Sequence, residues 1–282
     1  MIVASRVTGS SWFITASATG AASLPTDALE AWASVCSNGG LIERDLPEED
    51  WKLLAARLSP VRFKNGDCLA HDTLDGPHVL FPLNLVACLQ FTRQRSGLGL
   101  VGREGFFGWS AVLDDNSQDE VEATVLMDGG TALAISVEDM RQACLSSATL
   151  SLSLLRFLGS YTSQLAWMIR ARDRGSLKER LCAWLLMLHD RVDSDFLRVT
   201  HGGLAAQLGV RRASVTDTLH VLEGEACLRC SRGIICLTDR ARLQRNAGVS
   251  YETPRIAAKQ AIPSTDTASI TAAHQVCEAD AV

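Results

Sequence analysis

The side chains best suited to chemistry lie on one face of a predicted helix that follows Gly209. Its apolar stripe, at helical spacing, is Val215, Leu219 and Leu222. The opposite face carries Ala213, Thr216, Asp217 and His220, with Arg212 on its flank. Guanidinium, hydroxyl and carboxylate groups can donate to or accept from base edges in the DNA major groove. The pattern therefore predicts a helix that reads DNA.

A short helix is predicted directly before this DNA-reading helix and is expected to hold it in place. Thr200 is expected to be its N-cap, because a threonine hydroxyl can accept from a free N–H of the first turn. Leu204, Ala205 and Leu208 fall on one side of it. Gly209 tolerates the positive φ that a sharp turn needs, so the pattern is typical of a helix-turn-helix. The alternative is a helical hairpin that packs in another core without binding DNA.

Two short strands are predicted after the helices, over 228–237, joined by a turn at Arg232-Gly233. Such a hairpin would be the wing of a winged helix, and Thr238 is expected to cap one more helix. Over 175–247 the chain has eleven basic and eight acidic residues, an excess of three positive charges in an acidic protein. That excess is expected of a module that faces phosphates, although ordinary surface charge gives the same count.

Length and composition limit the classes of protein to which the chain can belong. A chain of 282 residues with 47% hydrophobic residues favours two folded domains. No apolar run approaches the ~18–20 residues of a membrane span, and nine cysteines, an odd number, indicate reduced thiols. We therefore expect a cytoplasmic protein. The sequence contains no Walker loop, G-x-S-x-G or H-E-x-x-H motif, so we expect no enzymatic activity.

The cysteines are predicted to be structural. Cys227 and Cys230 form a lone C-x-x-C with Cys236 nearby, which lacks the second ligand pair that zinc requires. Because the motif lies across a predicted strand, its two sulfurs would point to opposite faces. No metal or cofactor is expected, and a thiol redox switch remains the less favoured alternative.

The middle of the chain predicts a β domain followed by a long helix. A helix is expected to begin at 46–50, and short β-prone runs separated by turns extend over 61–137, the pattern of a sandwich or roll. Over 150–172 apolar residues step by four, three, four and three, which favours a coiled-coil seam between two copies of the chain. The seam residues are Leu154, Leu158, Tyr161, Leu165 and Met168. A core helix packed within one domain is the alternative.

This order of elements resembles the Crp/Fnr superfamily of bacterial transcription regulators. The most specific segments are 177–181, 200–222 and 232–235 with Asp239-Arg240, and the segment over 101–108 looks like the family's glycine-rich turn. The resemblance implies an α+β fold, with an N-terminal β-roll of the cyclic-nucleotide-binding, jelly-roll type, a long dimerisation helix and a C-terminal winged helix-turn-helix. It also implies a homodimer that binds a two-fold DNA site near promoters and acts with RNA polymerase. A small-molecule effector of unknown identity is possible in the β-roll.

The resemblance fixes the expected divisions and the expected site. The divisions are a flexible extension over 1–40, a β-roll over 41–147, a dimerisation helix over 148–174, a winged helix-turn-helix over 175–247 and a disordered tail over 248–282. The residues expected to contact DNA are Thr200, Arg211, Arg212, Ala213, Ser214, Thr216, Asp217 and Arg232. The tentative effector pocket is Gly105, Phe106, Phe107, Gly108 and Trp109.

The β-roll departs from the pattern of the cyclic-nucleotide-binding members. Trp109 stands where those members have a glutamate that holds the ribose, and Asp119 or Glu120 stands where they have an arginine for the phosphate. A buried phosphate without a cationic partner is costly, so we expect this ligand to be lost. The rival reading of the whole chain is a β-roll ligand-binding or thiol-redox sensor whose C-terminal helices contact other proteins.

Overall fold

The computed structural model describes residues 47–69, 74, 76–91, 96–113, 121–248 and 251, and the backbone of 2–7 and 11–16. The side chains of Glu48 and Trp51 are not described. Most of the predicted extension over 1–40, the stretch over 116–120 and the tail after 251 lie outside these residues.

The helices and strands alternate in blocks along the chain. The helices are α1 (Glu48–Ala55), α2 (Trp109–Leu113), α3 (Val137–Ser146), α4 (Ala148–Arg174), α5 (Leu177–His189), α6 (His201–Leu208), α7 (Arg212–Gly224) and α8 (Arg240–Ala247). The strands are β1 (Ile2–Val7), β2 (Ser11–Ala16), β3 (Ser59–Phe63), β4 (His78–Pro82), β5 (Ala87–Phe91), β6 (Gly97–Val101), β7 (Val121–Val125), β8 (Gly130–Ser136), β9 (Phe196–Leu197), β10 (Leu228–Ser231) and β11 (Ile234–Leu237).

The β domain consists of two three-stranded antiparallel sheets. One has the strand order β3-β8-β4 and the other β6-β5-β7. Val79, Phe81 and Ile135 of the first sheet and Ala87 and Val125 of the second are buried in one core. These strands lie where the β-prone runs of the sequence predicted them, and the predicted α+β fold class is confirmed.

The long helix α4 packs along this domain. Leu150, Leu154, Phe157 and Tyr161 are buried in the core of the β domain. The ring of Phe106 lies 5.0 Å from that of Phe157, measured between centroids, and Phe157 lies 6.1 Å from Tyr161. One face of α4 is therefore a wall of the β domain.

Side-chain caps separate the helices that lead into α4. Ser136 caps α3 by accepting from the N–H of Asp139, and Ser147 caps α4 by accepting from the N–H of Leu150.

Among the described helices none alone is long and apolar enough to cross a membrane. The pair α3 and α4 passes that test only together, and it is bent by 116°. The core contacts of α4 agree with a helix packed in a folded domain.

A second core forms beneath the C-terminal helices. Helix α5 begins with a capping box between Ser176 and Glu179, and its residues 181–188 are all buried. They pack on the apolar sides of α6, α7 and α8 and on the sheet of order β10-β11-β9. Val86, Cys88 and Leu100 of the β domain belong to this same core. The two domains are thus joined by shared packing rather than by a linker alone.

Polar contacts reinforce that junction. Arg103 makes two hydrogen bonds of 2.6 and 2.7 Å to the carboxylate of Asp193. Arg191, which is buried, donates to Glu104 at 2.7 Å and to Gln164 of α4 at 2.9 Å. A buried charge needs such partners, so the glycine-rich turn, α4 and the end of α5 are held together.

The two ends of the described chain add to the predicted organisation. Strands β1 and β2 form an antiparallel hairpin in a segment predicted to lack regular structure. At the other end Tyr251 donates to Asp190 at 2.7 Å and accepts from Arg240 at 2.7 Å. These bonds connect Tyr251 to Asp190, at the end of α5, and to Arg240, at the start of α8.

Candidate nucleic-acid interface

The helix-turn-helix is formed by α6, a glycine turn and α7. The hydroxyl of Thr200 accepts from the N–H of Gly203 at 3.0 Å, which confirms the predicted cap. Gly209 has a φ of 65°, a left-handed conformation that glycine adopts without strain. Val215, Leu219 and Leu222 are all buried, as the predicted stripe requires. The stripe fixes the rotation of α7 and so determines which side chains face outward.

The outward face of α7 carries most of the predicted DNA contacts. Arg211, Arg212, Ala213 and Asp217 are exposed. Thr216 is partly buried, since its hydroxyl lies 2.9 Å from Nδ1 of His201 and 3.1 Å from the carbonyl of Arg212. Thr216 therefore also joins α7 to α6, a role that its position on the polar face did not predict.

The N-terminal end of α7 offers free backbone donors. Arg211 is the N-cap, and its side chain accepts no hydrogen bond from the first turn. The first N–H groups of a helix have no partner within it, and the helix dipole favours an anion there. The backbone at Arg212, Ala213 and the partly buried Ser214 can thus bind a phosphate beside the guanidinium groups.

Charge pairing in the C-terminal domain leaves the cations of this face uncompensated. Asp190, Asp193, Asp195, Glu223, Glu225 and Asp239 each have a side-chain or backbone partner. Within the described chain, by contrast, the guanidinium groups of Arg211, Arg212, Arg229 and Arg232 make no ion pair. Most of the acids in the sequence count thus have partners of their own, whereas Asp217 lies exposed on the same face of α7 as Arg212.

The wing is the hairpin of β10 and β11, as predicted. Its turn contains Arg232 and Gly233, which has a φ of 76°. The carboxylate of Glu223, at the end of α7, accepts from the N–H of Cys230 at 2.6 Å. This bond joins the wing, which carries Arg229 and Arg232, to the outward-facing helix.

The cap of α8 differs from the prediction. Asp239, not Thr238, is the N-cap, and its carboxylate accepts from the N–H of Arg242 at 2.8 Å. The hydroxyl of Thr238 instead donates to the carbonyl of Ala226 at 2.8 Å. A carboxylate at the N-cap also interacts favourably with the helix dipole, whereas the threonine has a tertiary partner.

Burial makes the thiols of this region poor nucleophiles. It raises the pKa of Cys182 to about 12 and that of Cys230 to about 11, and it also raises the pKa of Cys227. In the β domain it raises the pKa of Cys88 to about 12. The reactive form is the thiolate, so these groups stay in the thiol form near neutral pH. Among the described residues no three His, Cys, Asp or Glu side chains are placed to hold a metal ion.

The glycine-rich turn is filled by its own side chains. Phe106 and Phe107 are buried in the β core, and Phe107 exchanges backbone hydrogen bonds with Leu80 of β4 at 2.9 and 3.1 Å. A Cβ at Gly105 would lie 2.2 Å from the ring of Phe157, and one at Gly108 would lie 2.3 Å from the carbonyl of His78. The glycines are required for this close approach.

Little space remains between the turn and α4. The cavity there measures about 10 Å³ and is bounded by Glu104, Phe157, Tyr161 and Arg191, among others. Such a volume holds about one water. Trp109, at the start of α2, is partly buried against the β core. The five residues of the predicted effector pocket therefore lie around packed side chains rather than around an open pocket. Asp119 and Glu120 lie outside the described residues.

The predicted seam of α4 is divided between two environments. Leu154 and Tyr161 are buried in the core of their own chain, and Leu158, Leu165 and Met168 are partly buried against it. The apolar residues that α4 exposes are Leu152, Leu155 and Ile169, which are 48%, 59% and 70% exposed. The face available to a second copy is thus rotated from the one that the spacing predicted.

Comparison with known proteins agrees with this geometry. Residues 179–246 match the family model of the Crp-like helix-turn-helix domain. They span α5 to α8, which contain the outward-facing helix and the wing, and the whole fold is that of the Crp/Fnr regulators. The family match thus covers the C-terminal domain, and the likeness of the rest of the described chain to these regulators is one of fold.

Several solved structures share this fold at low sequence identity. A transcriptional regulator from Eubacterium rectale is 21% identical over 72% of this chain and 95% of its own, with a TM-score of 0.56. One from Thermus thermophilus is 24% identical over 67% and 98%, also with a TM-score of 0.56. FixK2 from Bradyrhizobium japonicum is 14% identical over 67% and 96%, with a TM-score of 0.55. No protein of curated function matched the chain.

Proposed function

We propose that this Crp/Fnr protein is a sequence-specific DNA-binding transcription regulator. The observation that carries the proposal is the set of four unpaired guanidinium groups on α7 and the wing, beside the free N–H groups at the start of α7. An interaction helix has no need of such a cluster, whereas phosphates and base edges require it. Selection of bound duplexes from a random DNA pool tests the proposal.

The roles proposed for the outward face follow from side-chain chemistry. Arg212 can make a bidentate contact to guanine, Ala213 can meet a thymine methyl group, and Asp217 can accept from N4 of cytosine. Arg211, Ser214, Thr200 and Arg232 are assigned to the phosphate backbone. Thr216 contributes by fixing α7 on α6 through His201.

We further propose that the protein acts as a homodimer through the exposed face of α4. The residues of this face step by three, four, three, four and three, the spacing of a two-helix seam. They are Leu152, Leu155, Gly159, Thr162, Ala166 and Ile169, all exposed or partly exposed in the single chain. Two recognition helices joined in this way would read a two-fold operator. Binding near a promoter would bring RNA polymerase within reach as a partner.

Gly159 supports this choice of face. A glycine inside a helix costs about 1 kcal/mol relative to alanine, so its presence in the middle of α4 calls for a reason. Within the chain a Cβ at Gly159 would meet nothing within 4 Å. Small residues at Gly159, Thr162 and Ala166 would let the α4 helix of a second copy approach closely. Close packing between two copies would therefore explain the glycine at position 159.

The β-roll is proposed to have lost the cyclic-nucleotide function. The side chains of Phe106, Phe157 and Tyr161 fill the space between the glycine-rich turn and α4, and the ion pair of Glu104 and Arg191 closes it. The guanidinium of Arg191, which could otherwise meet a phosphate, is occupied by Glu104, Gln164 and the carbonyl of Met187. A nucleotide would have to displace all of these contacts.

The redox-sensor alternative has less support. Its thiols would need to ionise near neutral pH, yet burial raises the pKa of Cys88, Cys182 and Cys230 to about 11 or 12. Cys230 lies on β10, whereas Cys227 precedes that strand, so the C-x-x-C does not lie wholly on one strand as the sequence predicted. A structural role for these cysteines accounts for their burial.

A further inference from the structure

A cavity separate from the glycine-rich turn lies where the two domains meet. Its volume is about 180 Å³, and it is bounded by β6, α4, α5 and α6. Apolar side chains form most of its wall: Leu98, Leu165, Met168, Trp184 and Met187. An apolar cavity of about 150 Å³ is large enough for benzene, so this one accommodates a single ring with a short substituent.

Two arginines that have no acidic partner among the described residues line this apolar cavity. Arg172 comes from the end of α4 and Arg180 from the start of α5, and both line the cavity. Neither forms an ion pair within the described chain. Burial and the charge of Arg172 lower the pKa of Arg180, because both disfavour its charged form. Arg180 is partly buried and Arg172 is exposed, and an anion placed between the two like charges would interact favourably with both.

The hydrogen bonds of the two arginines leave some of their N–H donors unused. Arg180 donates to the carbonyl of Leu208 at the end of α6, which uses one of its five N–H donors. The side chain of Arg172 has no hydrogen bond among the described residues, and its Nη2 lies 3.0 Å from the place where a Cβ at Gly209 would be. The remaining donors are free to bind a carboxylate.

We propose that this cavity binds a small monoaromatic carboxylate, with its ring among the apolar side chains and its carboxylate on Arg172 and Arg180. The ring would lie beside Trp184, and the bidentate geometry of guanidinium groups suits a carboxylate. Pockets for larger ligands typically measure several hundred Å³, so the volume of about 180 Å³ suits a small ligand better than a nucleotide. This site would therefore provide an effector pocket that the filled glycine-rich turn does not.

The position of the cavity connects its occupant to the helix-turn-helix. Gln207 of α6 lines the cavity and accepts from the thiol of Cys88 of β5 at 2.8 Å. Arg180 holds the last carbonyl of α6, immediately before the Gly209 turn. A ligand that fixes Arg172 and Arg180 would fix the end of α6, and through the turn the angle of α7 to the β domain. The ligand would thus alter DNA affinity without touching DNA.

Calorimetry on the full chain in the absence of DNA tests the proposal. The probes are benzoate and phenylacetate, with benzamide as the uncharged analogue of benzoate. We expect saturable binding of at least one carboxylate and at least tenfold weaker binding of benzamide, a loss of about 1.4 kcal/mol. Because no DNA is present, the outcome does not depend on the proposed regulator function. Absence of saturable binding by both carboxylates up to millimolar concentration overturns the proposal.

Matched variants locate the site. Arg172→Gln is expected to weaken carboxylate binding at least tenfold, whereas Arg170→Gln, an exposed arginine of α4 that does not line the cavity, is expected to change it less than twofold. Ala171→Leu reduces the cavity and is expected to weaken binding while the thermal midpoint shows a folded protein. If the Arg172→Gln variant binds the carboxylate as tightly as the wild type does, the carboxylate lies elsewhere and the assignment is overturned. The assignment is also overturned if this variant binds duplex DNA more weakly while no carboxylate binding is found.

Discussion

At the scale of single residues, the sequence predicted the features that depend on near neighbours. Thr200 caps α6 and Gly209 takes the left-handed conformation because a cap and a glycine turn are decided within a few residues. The pairing of charges was not predictable in this way. Arg191 meets Glu104 from 87 residues away, and Arg172 meets the turn at Gly209 only after both domains have packed. Contacts of that kind depend on the whole fold.

Arg212 provides the test of the proposed base reading. Arg212→Ala is expected to cost about 1–3 kcal/mol on the specific site and to relax the preference at one base position, because a bidentate contact to guanine would be lost. Binding of the variant to the selected duplex and to its single-base variants, at fixed salt, measures both effects.

The control for Arg212 is Arg245→Ala. Arg245 is exposed on α8, outside the helix-turn-helix and the wing, and its substitution is expected to leave the base preference unchanged. An Arg212→Ala protein that is folded and retains both affinity and base preference would refute the placement of α7 in the groove.

At the scale of elements, α4 shows what the spacing of apolar residues can predict and what it cannot. Its apolar residues form stripes on more than one side, because one side packs on the β domain and another is exposed. The spacing of Leu154, Leu158, Tyr161, Leu165 and Met168 correctly indicated a helix with a packed face. It could not show that the partner of that face is the chain's own core, since a seam between copies has the same period.

The exposed face of α4 is expected to control assembly. The double substitution Leu155→Glu and Ile169→Glu should give monomers with lower operator affinity, because a charge at each position would repel its copy and one half-site alone binds weakly. Sedimentation at micromolar concentration measures the association state.

Leu145→Glu is the matched control, since Leu145 is 82% exposed at the end of α3, outside the seam. It should remain dimeric. A wild-type protein that sediments as a monomer, or a double variant that remains dimeric, would contradict the proposed seam.

At the scale of the whole molecule, the β domain and the helix-turn-helix share one junction. Val86, Cys88 and Leu100 of the β domain lie in the core of the C-terminal domain, and Arg103 and Arg191 add ion pairs across it. The order of elements was enough to predict the fold class. The shared core was not predictable, because buried residues of a strand look alike whichever domain they contact.

The filled space at the glycine-rich turn gives a prediction for the whole protein. Cyclic AMP and cyclic GMP are expected to show no saturable binding in calorimetry up to about 1 mM, a ceiling of roughly 4 kcal/mol in binding free energy. The same preparation should bind its selected duplex, which shows that it is folded. Micromolar binding of either nucleotide, or DNA binding that requires one, would be evidence against the proposal.

The most direct test of the central claim is the selection of duplexes bound by the full chain from a random pool. We expect enrichment of a two-fold-symmetric site with half-sites about one helical turn apart, and affinity that falls steeply with salt because phosphates are neutralised. The substitution of Arg211, Arg212, Arg229 and Arg232 together by alanine should abolish that enrichment. A pool without any enriched sequence, bound no better by the wild type than by the fourfold variant, would contradict the assignment of this protein as a DNA-binding regulator.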